Sequence, residues 1–201
     1  MDEPELVIDA TEYARQIGLE RLVPGRYSAL LVANLIGGAL SGVQNPAKIV
    51  REIRQLEQGQ LGRFKKPIQN RHPPLKGLWH KHYQQDGLRS YARNVEQGLK
   101  RLGIPFFAEK IREAEAAGEE RYLQPEDVPA LVDDIVEGNR QRLASRQELT
   151  GEWLIFAKHA GQNYYLTTAF HDATTHDRVR QQIDAVCCVE FPFLVDLLAN
   201  A

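Results

Sequence analysis

The sequence EWLIFAKHAGQNYYLTTAF, at residues 152–170, decides the fold of this chain. Two runs of aromatic and aliphatic residues, at 152–159 and 162–170, flank the turn residues Ala160 and Gly161. Runs of this length around a glycine-containing turn are typical of a β-hairpin. Because an isolated hairpin is marginally stable in water, we expect it to pack on helices or to pair with a further strand, for which residues 6–8 are the candidate.

Helical signals dominate the rest of the chain. Asn45 can cap a helix whose first residue is Pro46, and the apolar residues that follow recur every three to four positions. Gly103 and Gly118 are suited to end two later helices, since glycine readily adopts the left-handed conformation of a C-terminal cap. We therefore predict an α+β fold that is predominantly α-helical, with about six to seven helices and one C-terminal β-hairpin packed on them.

The chain has 201 residues, which fits a single globular domain over 1–201. We expect a helical body at 10–148, interrupted by a loop at 58–85, and a hairpin with a terminal helix at 149–201. With 43% hydrophobic and 26% charged residues and a net charge of -2, the composition is that of an ordinary globular protein.

The cysteines and the apolar runs predict the location. Cys187 and Cys188 are adjacent and make no disulfide framework, which favours a reducing compartment. The N-terminal residues lack the pattern of a signal peptide, and the longest apolar run, at 29–40, is shorter than the roughly 20 residues that span a bilayer. We therefore expect a cytoplasmic protein with no membrane association; the sequence does not indicate its oligomeric state.

Residues 58–85 form a basic block that contains no carboxylate. Its prolines, Pro67, Pro73 and Pro74, exclude a continuous helix and predict an ordered loop. A local concentration of cations and aromatic rings suits an anionic partner, either nucleic acid, most simply RNA, or an acidic protein surface. The residues that we expect to bind the anion are Arg63, Lys65, Lys66, Arg71, Lys76, Trp79 and Tyr83. If the partner is RNA, Trp79 and Tyr83 could stack on a base.

His80-Lys81-His82 is the densest group of reactive side chains in this block. In extended backbone, the two imidazoles point to the same side. They could divide the acid and base roles of a phosphoryl transfer, with the lysine stabilising the developing charge. The same spacing suits a metal ligand pair, and it also suits a polar loop without chemistry. His171, which follows the hairpin, would supply a further imidazole if the fold brings it near.

The chain lacks the common motifs for other chemistries. It has no Walker A sequence, no GxGxxG and no HExxH, which disfavours P-loop nucleotide hydrolysis, dinucleotide redox chemistry and zincin proteolysis. We predict no cofactor and no metal ligand set.

The terminal hairpin carries histidine, lysine, tyrosine and threonine side chains, namely Lys158, His159, Tyr164, Tyr165, Thr167, Thr168 and His171. In this respect it resembles the small metal-independent ribonucleases found among bacterial toxins. The resemblance implies a multi-stranded sheet, whereas the sequence predicts two strands. It matches no individual residue of this chain to a catalytic position of that family.

Three functional hypotheses follow. The first is a toxin-like, histidine-based nuclease that acts on RNA, with His80, His82, Lys81 and His171 as catalytic residues. The second is a non-catalytic regulator or inhibitor that binds a protein or nucleic acid through the basic loop. The third is a metal-dependent hydrolase that uses His80, His82 and a carboxylate.

Overall fold

The computed structural model describes residues 8–60, 62–84, 88–120 and 122–201, so the strand candidate at 6–8 lies largely outside the described residues. The described chain forms two compact units. The larger, which we call the sheet unit, is drawn from residues 1–62, 66–86 and 151–201. The smaller, the helical unit, is drawn from residues 63–65 and 87–150.

The sheet unit contains a four-stranded antiparallel sheet with the strand order β1-β2-β3-β4. The strands are β1 (Ile68–Gln69), β2 (Trp79–Tyr83), β3 (Glu152–His159) and β4 (Gln162–Ala169). The hairpin predicted at the C-terminal end exists as β3 and β4, and the α+β class holds. The prediction of a single C-terminal hairpin is wrong, because β1 and β2 come from the basic block that was predicted to be a loop.

β2 has no sequence pattern that would reveal a strand. Its sequence, WHKHY, places polar side chains on both faces, and prolines precede it. It is nevertheless paired with β3 along its whole length, from Trp79 opposite Phe156 to Tyr83 opposite Glu152. Since β3 is a central strand, this pairing carries the polar residues of β2 into the interior.

The chain forms eleven α-helices within the described residues. They are α1 (Ala10–Gln16), α2 (Leu19–Leu22), α3 (Ala29–Leu40), α4 (Pro46–Glu57), α5 (Leu88–Leu102), α6 (Pro105–Ala117), α7 (Val128–Asp133), α8 (Asn139–Ser145), α9 (His176–Gln182), α10 (Cys188–Glu190) and α11 (Phe193–Ala199). Short π-helical segments join α7 to α8 and α9 to α10. The predicted caps are confirmed: the Asn45 side chain accepts from the Ala47 amide at 3.0 Å, and Gly118 ends α6 with a φ of 67°.

The two faces of the sheet are covered by different helices. Trp153 and Ile155 of β3 pack in one apolar cluster with residues of α9 and α11 such as Val179 and Leu194. Leu154 and Phe156 pack in a second cluster with residues of α1 to α4. Burial of β3 on both faces explains why its sequence reads as a nearly continuous apolar run.

The helical unit contains α5 to α8 and a small apolar cluster of Phe64, Leu143 and Leu149. Polar side chains brace it. The amide of Asn94 donates to the carbonyl of Thr150 at 2.9 Å and accepts from the Thr150 amide at 2.9 Å. Asp134 accepts from the backbone of Phe106 at 3.0 Å, so it caps the start of α6 from a distant segment.

The helices of the described residues are too short or too polar to cross a membrane.

Gly151 is the residue that allows β2 and β3 to meet at the start of β3. A Cβ atom at this position would lie 2.0 Å from the backbone oxygen of Tyr83, a distance that no side chain can tolerate. The peptide of Gly151 also contacts His82, whose Nδ1 lies 3.0 Å from the Gly151 oxygen and 3.3 Å from its nitrogen. This glycine therefore fixes both the strand pairing and the position of one imidazole.

We predict that Gly151→Ala lowers the free energy of unfolding by at least about 3 kcal/mol, because the backbone of β2 must move to accept the methyl group. The matched control is Gly37→Ala in α3, where a Cβ would meet nothing within 4 Å. That change should raise stability by about 0.5–1 kcal/mol, since alanine favours the helix. Urea unfolding of both variants measures the difference in their free energies of unfolding. Equal stabilities would contradict the role of Gly151 in the close approach of β2 and β3.

Candidate functional site

Four of the six histidines of the chain gather around Trp153 on one face of the sheet, and we call this group the imidazole cluster. His80 and His176 stack on the indole, with ring centroids at 4.0 and 4.7 Å. His171 lies at 5.1 Å from the same indole. His82 contacts both His80 and His171 edge to face, at 5.2 and 5.3 Å. Three segments that are far apart in sequence thus meet at one place.

Each imidazole is positioned by the local fold. His80 and His82 are two residues apart on β2, so the alternation of a strand puts both on the face that carries Trp153. His171 follows β4, and its backbone amide donates to the carboxylate of Glu152. His176 is the first residue of α9.

Asn70 holds the ring of His80 in place. Its Nδ1 lies 2.8 Å from Oδ1 of Asn70. With the amide in this orientation its oxygen accepts from Nδ1 of the ring. An imidazole oriented by a neighbouring carbonyl in this way is suited to acid–base chemistry.

The four imidazoles differ in their access to solvent. His80 and His82 are buried, with 6% and 2% exposure, whereas His171 and His176 are half-buried. Two polar atoms of the cluster, Nε1 of Trp153 and Nε2 of His176, are buried without a hydrogen-bond partner among the described residues. Buried polar atoms are rarely left unpaired, so these two can bond to a ligand or a bound water.

Lys81 lies between the two histidines of β2 in sequence and therefore points to the other face of the sheet. Its ammonium is 3.8 Å from the carboxylate of Glu52 on α4, and both side chains are buried. Burial lowers the pKa of Lys81 and raises the pKa of Glu52, and in each case the attraction of the partner opposes the shift. The structure does not bring Lys81 together with the imidazole cluster.

The predicted anion-binding residues fall into separate groups. Arg71 and Lys76 are exposed on the segment that joins β1 to β2, which begins at Asn70, the partner of His80. Lys66 is exposed just before β1. Arg63 and Lys65 belong to the helical unit.

The two aromatic rings predicted to stack on a base are covered by other parts of the protein. The Trp79 ring has the ammonium of Lys158 over it at 3.8 Å and packs near Phe156. Tyr83 is 2% exposed, and both residues lie on the face opposite the imidazole cluster. Base stacking by either residue stays a prediction that would require Lys158 to move or a ligand to enter from another side.

The sequence interpretation placed His80, His82 and His171 among the catalytic candidates, and the structure brings these three together. It missed His176 as a member of the site. The signal was present in His171, Asp172, His176 and Asp177, but caps at a helix start explain such residues equally well. Here Asp172 does cap: it accepts from the amide of Thr174 at 3.1 Å.

The described residues do not favour metal-dependent chemistry or a cysteine nucleophile. No group of three or more histidine, cysteine, aspartate or glutamate side chains there is arranged to hold a metal ion. Neither cysteine is bridged, and burial raises the pKa of the Cys187 thiol to about 12, which makes it a poor nucleophile.

Comparison of the chain with protein-family models, with curated proteins and with solved structures found no match. We therefore infer the function from the residues and geometry of this chain.

We predict that Lys81 supports the fold rather than the chemistry. Lys81→Met should lower the free energy of unfolding by about 3 kcal/mol, because it leaves the Glu52 carboxylate buried without its cation. The loss should grow as the pH rises above the ordinary pKa of a glutamate, since a folded-state pKa that is raised makes the folded protein bind more protons than the unfolded one. The double variant Lys81→Met/Glu52→Met should recover most of the loss.

Chemical denaturation at pH 5 and pH 8 measures these effects. The double variant also distinguishes a structural role of Lys81 from a role in the chemistry. If it unfolds like the wild type but has lost all activity of the protein, Lys81 takes part in the chemistry and the structural assignment is incomplete.

Proposed function

We propose that the protein is a metal-independent, histidine-based nuclease that cleaves RNA. The observation that carries the proposal is the imidazole cluster, in which four histidines from two separate segments meet around Trp153 of a third. Groups that titrate near neutral pH are suited to moving protons in a reaction, and one imidazole can act as base while another acts as acid.

RNA suits this chemistry because it carries its own nucleophile. One neutral imidazole removes the proton of the 2′-hydroxyl, whose oxygen then attacks the adjacent phosphorus. A protonated imidazole gives its proton to the leaving 5′-oxygen as the phosphorus–oxygen bond breaks. The products are a 2′,3′-cyclic phosphate and a 5′-hydroxyl, and no redox partner or external nucleophile is needed.

The half-buried histidines, His171 and His176, are the catalytic pair in this proposal, because they are more exposed than the other two imidazoles of the cluster. His80 and His82 are positioning residues behind them. His82 touches the ring of His171, and His80, which is held by Asn70, touches His82, so both help to orient the outer rings.

The basic segment between β1 and β2 supports an anionic substrate. Arg71 and Lys76 are exposed, and Asn70 links the start of the segment to His80. On the other side, the guanidinium of Arg180 on α9 donates to the carbonyl of Pro74 at 2.9 Å, which joins this segment to the helix that begins at His176. Exposed cations beside the cluster would attract phosphates in a salt-dependent manner.

Two general features agree with the proposal. The sheet has four strands, as the resemblance to toxin ribonucleases implies, and not the two predicted from sequence. The unbridged cysteines fit the reducing, cytoplasmic compartment in which RNA is encountered.

We predict that purified protein cleaves RNA in the presence of EDTA and leaves DNA of the same sequence intact. His171→Gln/His176→Gln should lower the cleavage rate by at least about 100-fold, the usual contribution of general acid–base catalysis. The rate is measured on a labelled oligoribonucleotide, and a single 2′-deoxy substitution at the cleaved position should block the reaction.

The matched control is His72→Gln, which changes an exposed histidine of the basic segment outside the imidazole cluster. It should cleave at the wild-type rate. Cleavage that survives the double substitution, or that requires a metal ion, contradicts the proposal. Tight RNA binding without any cleavage would favour the non-catalytic regulator instead.

A further inference from the structure

A cavity of about 420 Å³ opens in the sheet unit on the side of Tyr83. Its walls come from the C-terminal half of α3 and the loop that follows, from the ends of β2 and β4, and from α9. A volume of this size lies within the range of small-molecule sites in proteins, roughly 300–1,000 Å³. Nothing in the proposed cleavage reaction uses this cavity.

The electrostatics of the cavity favour an anion. Arg178 of α9 is the one charged residue among the described residues that line it, and none of them is a carboxylate. Within the described part of the chain, the side chain of Arg178 makes no hydrogen bond or ion pair, whereas Arg180, two residues further along α9, is paired with Asp184 at 2.8 Å. An exposed, uncommitted guanidinium at the edge of a cavity is suited to a phosphate, which it can bind through two parallel hydrogen bonds.

The carboxamides of the cavity are held in fixed orientations. Asn34 donates its amide to the hydroxyl of Thr167 at 2.7 Å, and Gln44 donates its amide to the hydroxyl of Tyr83 at 2.5 Å. The bond of Asn34 leaves its carbonyl oxygen as an acceptor for a ligand, whereas the carbonyl oxygen of Gln44 lies over Gly38. The side chain of Gln182 makes no hydrogen bond to another described residue and can offer both a donor and an acceptor.

Gly38 makes the position of Gln44 feasible. A Cβ atom on Gly38 would lie 2.5 Å from both Cβ and Oε1 of Gln44. The glycine in α3 is therefore explained by the side chain that folds over it at the cavity wall. Alanine is the better helix former, so the sequence forgoes helix stability at this position to place a polar group there.

The remaining walls suit a flat apolar body. Phe170 and Val43 line the cavity and are 49% exposed, and Val179 lies beside them. Burial raises the pKa of Tyr83 far above its usual range, so its hydroxyl stays neutral and adds no negative charge. A ligand with an anionic end, a planar body and polar edges would satisfy all these groups.

We propose that this cavity binds a nucleoside monophosphate, with the phosphate on Arg178, the edge of the base on the carboxamides of Asn34 and Gln182, and the Gln44 side chain as part of the wall. The ring would lie against Phe170. The cavity and its chemistry carry this inference independently of whether the imidazole cluster cleaves RNA.

The test is titration of the wild-type protein with AMP, GMP, CMP and UMP, followed by isothermal calorimetry. We expect at least one nucleotide to bind with saturation, and we expect inorganic phosphate and the corresponding nucleoside to bind at least tenfold more weakly. Arg178→Gln should weaken nucleotide binding at least tenfold, since a charge-assisted pair to phosphate is lost. The control Arg54→Gln removes an exposed arginine of α4 outside the cavity and should bind like the wild type.

A second variant, Gly38→Ala, displaces Gln44 and should reduce the preference among the four bases while leaving the phosphate contact. Circular dichroism confirms that each variant is folded. Absence of saturable binding by all four nucleotides overturns the inference, as does binding of inorganic phosphate with the same affinity. Because no cleavage is measured, a failure of the nuclease proposal would leave this result unaffected, and the reverse also holds.

Discussion

The pairing of β2 with β3 is the interaction on which the rest of the structure depends. It joins five residues of β2 to β3, and it is closed at one end by Gly151, which lets the two backbones approach. The register of this pairing decides where every polar side chain of β2 lies. With Tyr83 opposite Glu152, His80 and His82 reach the face of Trp153, and Lys81 reaches Glu52 on the other. A shift of the register by one residue would exchange the two faces and separate all of these contacts.

A central strand with two histidines and a lysine fills the core at a cost in free energy, because polar side chains must be buried. Apolar residues would bury the same volume without partners, and replacing buried ionic pairs with apolar residues is often neutral or stabilising. The structure instead gives each polar group a specific neighbour: Asn70 for His80, the Gly151 peptide for His82, and Glu52 for Lys81. Conflicts of this kind between the local sequence and the fold are expected mainly at functional sites. The imidazole cluster is the part of the sheet where the proposed cleavage of RNA would give that cost a chemical use.

The sequence was sufficient to predict those strands and helix ends whose signals are local. The turn at Ala160 and Gly161 and the apolar runs beside it identify β3 and β4, and Asn45, Gly103 and Gly118 mark helix ends that the structure contains. It was not sufficient for β2, because a strand whose faces are filled by histidine and lysine has no apolar alternation. The sequence of the helical unit also separates β2 from β3, so their pairing is a long-range contact that no short window can reveal. The same limit applies to the cavity, whose walls come from four separate segments.

The segment that runs from the end of β4 into α9 connects the two sites that the structure suggests. Trp153 pairs with Ala169, so this segment leaves the sheet beside the imidazole cluster. His171 and His176 then turn toward Trp153, while Phe170 and Arg178 line the cavity. Neighbouring residues of one short segment thus line two different places, the imidazole cluster and the cavity. The Glu152 carboxylate holds the backbone of this segment at His171, next to Phe170, so one hydrogen bond fixes the point where the residues of the cavity and those of the cluster diverge.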